Sequence, residues 1–463
     1  MRKEKKFKIP VEYFESKLEY IKYRLGLVDI SRDKELEFIL DYATRHFHLG
    51  EIVKISQERE DLPRGNLFRL LPKLKDFDFD GFREFGFDGI GFDHKNKLLA
   101  LSRAIGEYFE RFTFFTNVRR RSSLKSNLKS LRQTYDIKLV TDFNRFENPK
   151  ILSFPSAESD LEEEIDCVLV FDHINKRKAL YPLEGVFYGM NLEKSGKKFY
   201  PPTSNGCAGG FSFDDAVYSG TLELLERDAF LMYWLTFTSP ERLDVSTLPD
   251  EAKNIIKYYS KYKFDIRLLN ITSDLGVPTV MCHIRDVSRK EWRGVVTSCC
   301  NPDPEKAIYF ALREGCSAAA LAIYDFRWQI SFQKHEDVDF YNRISLLQKM
   351  NDKYFDFFLD GPLVKYEDFV GRFSSDRKAK DLSWLLEKIE NAIGPVNMYS
   401  YMAQDFFLKR IGYHVVRIII PQLIPMYLHE IEKVTNPTRI KSFLRHKGKD
   451  LDTHLNDFPH AFP

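Results

Sequence analysis

Hydrophobic residues recur at helical spacing most clearly between Ser204 and Trp234. Tyr218, Leu222, Leu225, Ala229 and Met232 fall on one stripe, the 3.6-residue pattern of a helix packed on a core. Asp214 and Asp215 stand at its start, where carboxylates suit the exposed N–H groups and the helix dipole. A small-residue loop, Asn205 to Gly210, leads into it. A second helical pattern runs from Leu99 to Phe112, and a third follows Pro304, whose missing N–H is not needed at a first helical position. Tyr13–Leu25 and Lys34–Phe47 are also helical, the latter with Ser31 as a candidate cap.

Short apolar runs bounded by turn residues predict strands at Cys167–Phe171, Phe264–Leu269, Val277–Ile284, Gly294–Ser298 and Asn397–Tyr401. Val415–Ile420 is β-branched with little alternation, which predicts burial on both faces. Gln404–Arg410 reads as a short helix between the last two strands. Residues Gln333 to Asp381 are charged and aromatic without a sheet pattern, and read as an inserted helical region. The fold class expected is α+β, with a core of two related halves, mixed sheets and carboxylate-bearing helices, plus a small helical N-terminal region. The division is an accessory region over 1–80, the core over 81–440 and a tail over 441–463.

Glu223 and Glu226 are three apart on the central helix, followed by Arg227, so both carboxylates can project to one side. Alone, an E-x-x-E-R on a helix reads as a solvated face with local ion pairs. A second copy changes that reading: Glu107, Glu110 and Arg111 repeat the spacing on the Leu99–Phe112 helix. Paired carboxylates after a glycine turn suit a site where Mg²⁺ is held by carboxylates and itself holds phosphate oxygens. The arginines suit ion pairs between helices equally well.

These two segments resemble the paired E-x-x-E-R helices of the YcaO superfamily. Asp303–Ile308 leading to Ala311–Glu314, and Gly412–Tyr427 with its P-x-L-x-P turn, are similar to two further family segments, in order, from about Phe85 onward. The resemblance implies an ATP-dependent cyclodehydratase that forms thiazoline or oxazoline rings on a ribosomally made precursor peptide, as in bacteriocin biosynthesis, with ATP and Mg²⁺ as cofactors. It implies Mg²⁺ coordination by Glu107, Glu110, Glu223 and Glu226. Arg111, Asp215, Arg227 and Glu314 join them in cofactor binding, and the terminal carboxylate of Pro463 is the catalytic base. The expected partners are the precursor peptide, a leader-binding protein resembling ubiquitin-activating enzymes and a flavin dehydrogenase. A homodimer is the expected assembly.

The chain departs from the family pattern. Arg103 stands where the first motif has Ser, and Ala208, Asp215 and Ser219 replace Ser, Glu and Gln of the second. Ser317 and Ala319 replace Gln and Arg of the third. A non-catalytic YcaO-like scaffold that binds peptide or a partner enzyme therefore stands as the alternative, and thioamide formation as a third. The tail carries prolines at 459 and 463 but Ala461 between them.

Composition narrows the partners. Seventy Lys and Arg against 68 Asp and Glu leave a net charge of +2, so no global field for nucleic acid or membrane is expected. Arg119–Arg121 with Lys125, Lys129 and Arg132 form a local basic stretch that reads as a solvated face or an acidic-leader contact. The six cysteines include no C-x-x-C pair, which argues for reduced, buried thiols in a cytoplasmic protein. The basic start lacks an apolar core for a secretory signal, no run is long enough to span a bilayer, and no Walker A sequence is present.

Overall fold

The structure is a computed structural model. It describes residues 32–55, 63, 65–73, 88–119, 123–142, 161–187, 200–201, 203–288, 294–327, 356–374, 381–403, 405–427, 433–450, 454–456, 458, 460 and 462. Three sheets carry the fold. The first contains β1 (Leu49–Ile55), β2 (Asn66–Pro72) and β3 (Gly89–Asp93), in that order. The second contains β8 (Glu241–Leu243), β9 (Phe264–Asn270), β10 (Thr279–Asp286), β11 (Gly294–Cys300) and β12 (Leu363–Val364), ordered β11-β10-β9-β8-β12. The third contains β4 (Leu124–Ser126), β5 (Ile165–Asp172), β6 (Arg177–Pro182), β7 (Cys207–Gly210), β13 (Tyr399–Ala403) and β14 (His414–Ile419). Its order is β4-β5-β13-β14-β7, with β6 beside β5. Described pairings are antiparallel except β8 with β12.

Three long helices follow strands directly. β3 leads through a short turn into α2 (Lys97–Arg119), β7 into α4 (Phe213–Leu235) and β11 into α6 (Pro304–Arg327). Each helix packs on its own sheet and reaches the next: α2 touches β7 and β14, α4 touches β11, and α6 touches β3. The three helices thus close a ring around a shared centre. Smaller helices are α1 (Arg32–His46), α3 (Leu128–Tyr135), α5 (Asp250–Ser260), α7 (Tyr366–Ser374), α8 (Leu382–Ile393), α9 (Phe406–Ile411) and α10 (Pro437–His446).

The predicted strands all form, shifted by a few residues at their ends; β11 runs on through Cys300. Val415 to Ile420 is buried throughout, as its unalternating pattern requires. The class is α+β, as expected. Residues 49–72 carry no predicted element yet form β1 and β2, and β2 pairs with β3. Tyr42 and Phe47 share a core with Tyr108 and Phe109 of α2, so the described N-terminal residues pack into the layer that follows. Of the expected insertion, the helix Asp356–Leu359 presents Phe357 and Phe358 to Trp234 at ring distances of 5.8 and 5.7 Å. The predicted helix Tyr13–Leu25 and the basic run Arg120–Arg121 lie outside the described residues.

Candidate functional site

The strand-to-helix turns position the carboxylates. Glu107 and Glu223 each stand ten residues after the first residue of their helix. Each accepts a backbone N–H from a residue seventeen positions earlier: Ile90 N–H to Glu107 Oε2 at 2.5 Å and Gly206 N–H to Glu223 Oε2 at 3.1 Å. The same bond at the same spacing makes the two units local copies. Gly206 has φ +76, and a Cβ there would meet the Ile418 carbonyl, so only glycine delivers that N–H. Arg111 and Arg227 lie one turn beyond. Arg111 Nη2 pairs with Glu107 at 2.6 Å and its Nη1 donates to the Asp88 carbonyl at 2.9 Å; Arg227 pairs with Glu226 at 2.9 Å and Glu223 at 3.6 Å.

The two helices meet across β7. Cβ atoms on Gly106 of α2 and Gly209 of β7 would both crowd the Tyr413 hydroxyl, at 3.1 and 2.2 Å. That close approach brings Glu110, one turn past Gly106, to Glu223. Burial, then the charges of Glu223 and Glu107, push the Glu110 carboxyl up to about 8. Arg111 and Arg417 offset only part of the rise. Burial and Glu223 push Glu226 up to about 7 against Arg227; it also accepts from Ser298 Oγ at 3.0 Å and Cys300 N at 3.1 Å. Burial raises Glu107 and Glu223 as well, each opposed by its own helix's arginine. Glu107 and Glu223 nonetheless keep side-chain exposures of 30% and 25%. The quartet is an enclosed acidic patch still open to solvent.

The other expected residues are placed differently. Glu314 occupies the corresponding position of α6. It is 47% exposed and bound to Arg313 at 2.6 Å, although its charge still acts on Glu107. Asp215 lies at the start of α4, where Ser212 Oγ donates to it at 2.5 Å and accepts the Asp215 N–H at 3.1 Å, a helix-capping arrangement. Pro463 lies outside the described residues, but Phe462 is 4% exposed, 4.9 Å from the Phe230 ring and 4.3 Å from the Arg227 guanidinium. Trp234 Nε1 donates to the Phe458 carbonyl at 3.1 Å and the His460 ring bonds the Tyr427 carbonyl at 2.8 Å. The tail therefore packs along α4 beside Arg227.

Sequence reasoning missed Arg417 and Asp88. Arg417 is 1% exposed on β14, bonded to the Thr203 carbonyl and to Cys207 Sγ at 3.4 Å, and its charge acts on Glu110 and Glu223. A polar residue within the apolar run Val415–Ile420 was the one available signal. Asp88 receives Arg69 at 2.5 Å and positions the strand that presents Ile90.

The YcaO family, described as YcaO cyclodehydratase, ATP- and Mg²⁺-binding, matches residues 94–424. The chain belongs to the YcaO family. The solved heterocyclase in complex with substrate and cofactor superposes with a TM-score of 0.68 at 15% identity, covering 92% of this chain and 57% of that one. YcaO from Methanopyrus kandleri, bound with AMPPCP and Mg²⁺, gives 0.58 at 16% identity over 85% and 91%. The E. coli microcin synthetase McbBCD complex gives 0.56 at 12% identity over 88% and 96%. At such identities these likenesses establish the fold. An uncharacterized protein of Methanothermobacter thermautotrophicus is 25% identical over 39% of this chain and 47% of its own length. A protein of the tfuA 3′ region of Rhizobium leguminosarum bv. trifolii is 28% identical over 32% and 39%. The matches thus span less than half of these curated relatives.

ATP and Mg²⁺ are the cofactors of the YcaO family. Among the described residues no three His, Cys, Asp or Glu side chains are preassembled around a metal position. Mg²⁺ does not need such a cage, because it takes one or two carboxylates and completes its shell with water and phosphate oxygens. An acidic quartet of hard oxygen donors, in which the charges of Glu223 and Glu107 act on Glu110, fits that requirement.

Proposed function

We propose that this YcaO protein is an ATP- and Mg²⁺-dependent cyclodehydratase subunit that forms thiazoline or oxazoline rings on a ribosomally made peptide. The observation that carries this reading is the pair of duplicated strand–helix units that set Glu110 against Glu223. Four carboxylates brought together with incomplete pairing cost stability, and a cation repays that cost only when bound. Glu107, Glu110, Glu223 and Glu226 would hold Mg²⁺. ATP would supply the phosphoryl group that turns an amide oxygen into a leaving group.

The chain's own residues hold and orient. Ile90 and Gly206 N–H fix the two outer carboxylates, and Arg111 and Arg227 keep them from turning away. The Glu110 carboxyl, pushed up to about 8, would have to release its proton to hold a cation. The test is incubation of the purified protein with ATP, MgCl₂ and Cys- or Ser-containing peptides, read as nucleotide-dependent loss of one water mass. Glu223→Gln abolishes the product if the quartet is the site. Nucleotide binding with no peptide product under any partner condition favours a scaffold that binds peptide for another enzyme.

A further inference from the structure

On the α6 side of the carboxylates, two guanidiniums lie within reach of each other's charge. Arg103 of α2 is held by one nitrogen: Nη1 donates to the Phe92 carbonyl at 2.6 Å and to Asp93 Oδ2 at 3.0 Å. Asp93 is itself fixed, accepting N–H bonds from Lys95 at 3.0 Å and Asn96 at 2.8 Å in the turn before α2, whose cap is Asn96. Arg313 of α6 directs Nε and Nη2 at Glu314 Oε1, at 3.2 and 2.6 Å, and lies 4.6 Å from the Phe310 ring. Among the described bonds, Arg103 Nε and Nη2 and Arg313 Nη1 are uncommitted. The side chains are 25% and 15% exposed, so solvent reaches them.

Their closeness follows from packing: α6 contacts β3, the strand whose end holds Arg103. Arg313 is the largest charge opposing Arg103 after burial, and Glu314 acts on both Arg103 and Glu107. His94 completes the surround. Its Nε2 is buried with no hydrogen-bond partner, and Arg313 acts on its ring. Two like charges held by separate protein anchors, with donors to spare, favour an anion between them. Guanidiniums match the planar pairs of oxygens on a phosphate.

We propose that Arg103 and Arg313 form a clamp for the terminal phosphates of the nucleoside triphosphate, beside the Mg²⁺-holding carboxylates. This rests on the ATP reading above and assigns the residues that would recognise the triphosphate. The division of labour is physical: carboxylates reach phosphate oxygens only through a cation, whereas arginines reach them directly.

The experiment compares ATP, ADP and AMP, each with MgCl₂, by calorimetry on the full chain and on Arg103→Gln and Arg313→Gln. The clamp predicts that each variant weakens ATP at least about tenfold, as for a lost charge-assisted bond, and AMP by less than about twofold. Equal weakening of ATP and AMP, or none, overturns it. Should either variant fail to fold, the wild-type chain is modified with phenylglyoxal with and without inorganic tripolyphosphate. Protection of Arg103 and Arg313 supports the clamp, and unprotected modification of both refutes it. That second arm needs no nucleotide binding. A wild-type chain protected by tripolyphosphate but blind to ATP would overturn the ATP reading while leaving the anion site standing.

Discussion

Two carboxylate clusters meet on α4, and they are built to opposite ends. Glu223 and Glu226 join the open quartet. Two residues on, Asp228 is fully buried and fully paired. Arg439 donates Nε and Nη2 to Asp228 Oδ2 at 2.9 and 2.7 Å, and the Ile424 N–H bonds Oδ1 at 3.0 Å. The same guanidinium bonds Asp274 at 2.8 Å, which also receives Ser442 Oγ at 2.8 Å. Burial acts on Glu226 and Asp228 alike. What separates them is the extent of pairing: Asp228 has two nitrogens of Arg439 to itself, while Glu226 shares Arg227 with Glu223, and that leaves room for a mobile cation. Buried acidic residues thus fasten the fold where a guanidinium gives one carboxylate two nitrogens, and face a ligand where two arginines are shared among four carboxylates.

Asp228→Ala tests the closed cluster and carries the largest expected effect. Removing Asp228 leaves two nitrogens of the buried Arg439 without their acceptor and only Asp274 to balance its charge, at a cost of about 3–5 kcal/mol. The check is the denaturant midpoint, with Arg439→Ala and the double variant completing a cycle. The comparison requires that the double variant cost clearly less than the sum of the singles. Additive costs would mean that the pair contributes nothing as a pair.

Phe462→Ala tests the boundary between the clusters. The ring is buried on Phe230 and under Arg227, the arginine that holds Glu223 and Glu226. Truncating a buried Phe costs about 3–5 kcal/mol, toward the lower end where a chain terminus can relax. The sharper readout is local. Freed from the ring, Arg227 should settle more closely on the glutamates and lower the pH at which Glu226 titrates. An unchanged Glu226 titration, followed by carboxyl NMR, would show that tail and quartet are independent.

Much of this contrast was legible in the chain, and its limits have a physical cause. The repeated E-x-x-E-R spacing fixed which helix faces matter, because i, i+3 and i+4 neighbours are set by helix geometry alone. Glu107, Glu110, Glu223 and Glu226 could be named for that reason. Nothing local marks Asp228 as structural and Glu226 as open, since the deciding partner, Arg439, lies 211 residues away. Arg417 was hidden likewise, and β1 and β2 were missed because their stability comes from pairing with β3 rather than from their own pattern. Asp215, named for its match to a motif, is bonded to the helix cap Ser212. That role was also readable from its place at a helix start.

The open cluster should show itself in pH dependence. Glu110 and Glu226 are raised to about 8 and about 7, so between the ordinary carboxylate range and those values the folded chain holds more protons than the unfolded one. Their contribution is therefore favourable at low pH and is lost as pH rises through about 7 and then about 8. The metal-free protein should melt lower at about pH 8.5 than at about pH 6, once its other groups are accounted for by the Glu110→Gln variant, which should flatten the difference. MgCl₂ with nucleotide should reverse the trend, because binding needs the carboxylates ionised. A pH trend identical in Glu110→Gln would remove Glu110 from the cluster.

The smallest effect belongs to Glu314, and its smallness is informative. It shares a helix position with Glu107 and Glu223, so a simple threefold repeat predicts three equivalent carboxylates. The structure makes it unlike them: it is half exposed and already held by Arg313 in the same helix. A neighbouring pair of that exposure contributes little, so Glu314→Gln should change stability by no more than about 0.5 kcal/mol. In the nucleotide titration Glu314→Gln should shift ATP affinity less than about threefold, because release of Arg313 offsets the lost acceptor, whereas Glu223→Gln should shift it at least about tenfold. If Glu314→Gln weakens ATP as much as Glu223→Gln does, the third unit belongs to the metal-holding set and the ring of helices presents three equal arms rather than two arms and a phosphate-facing side.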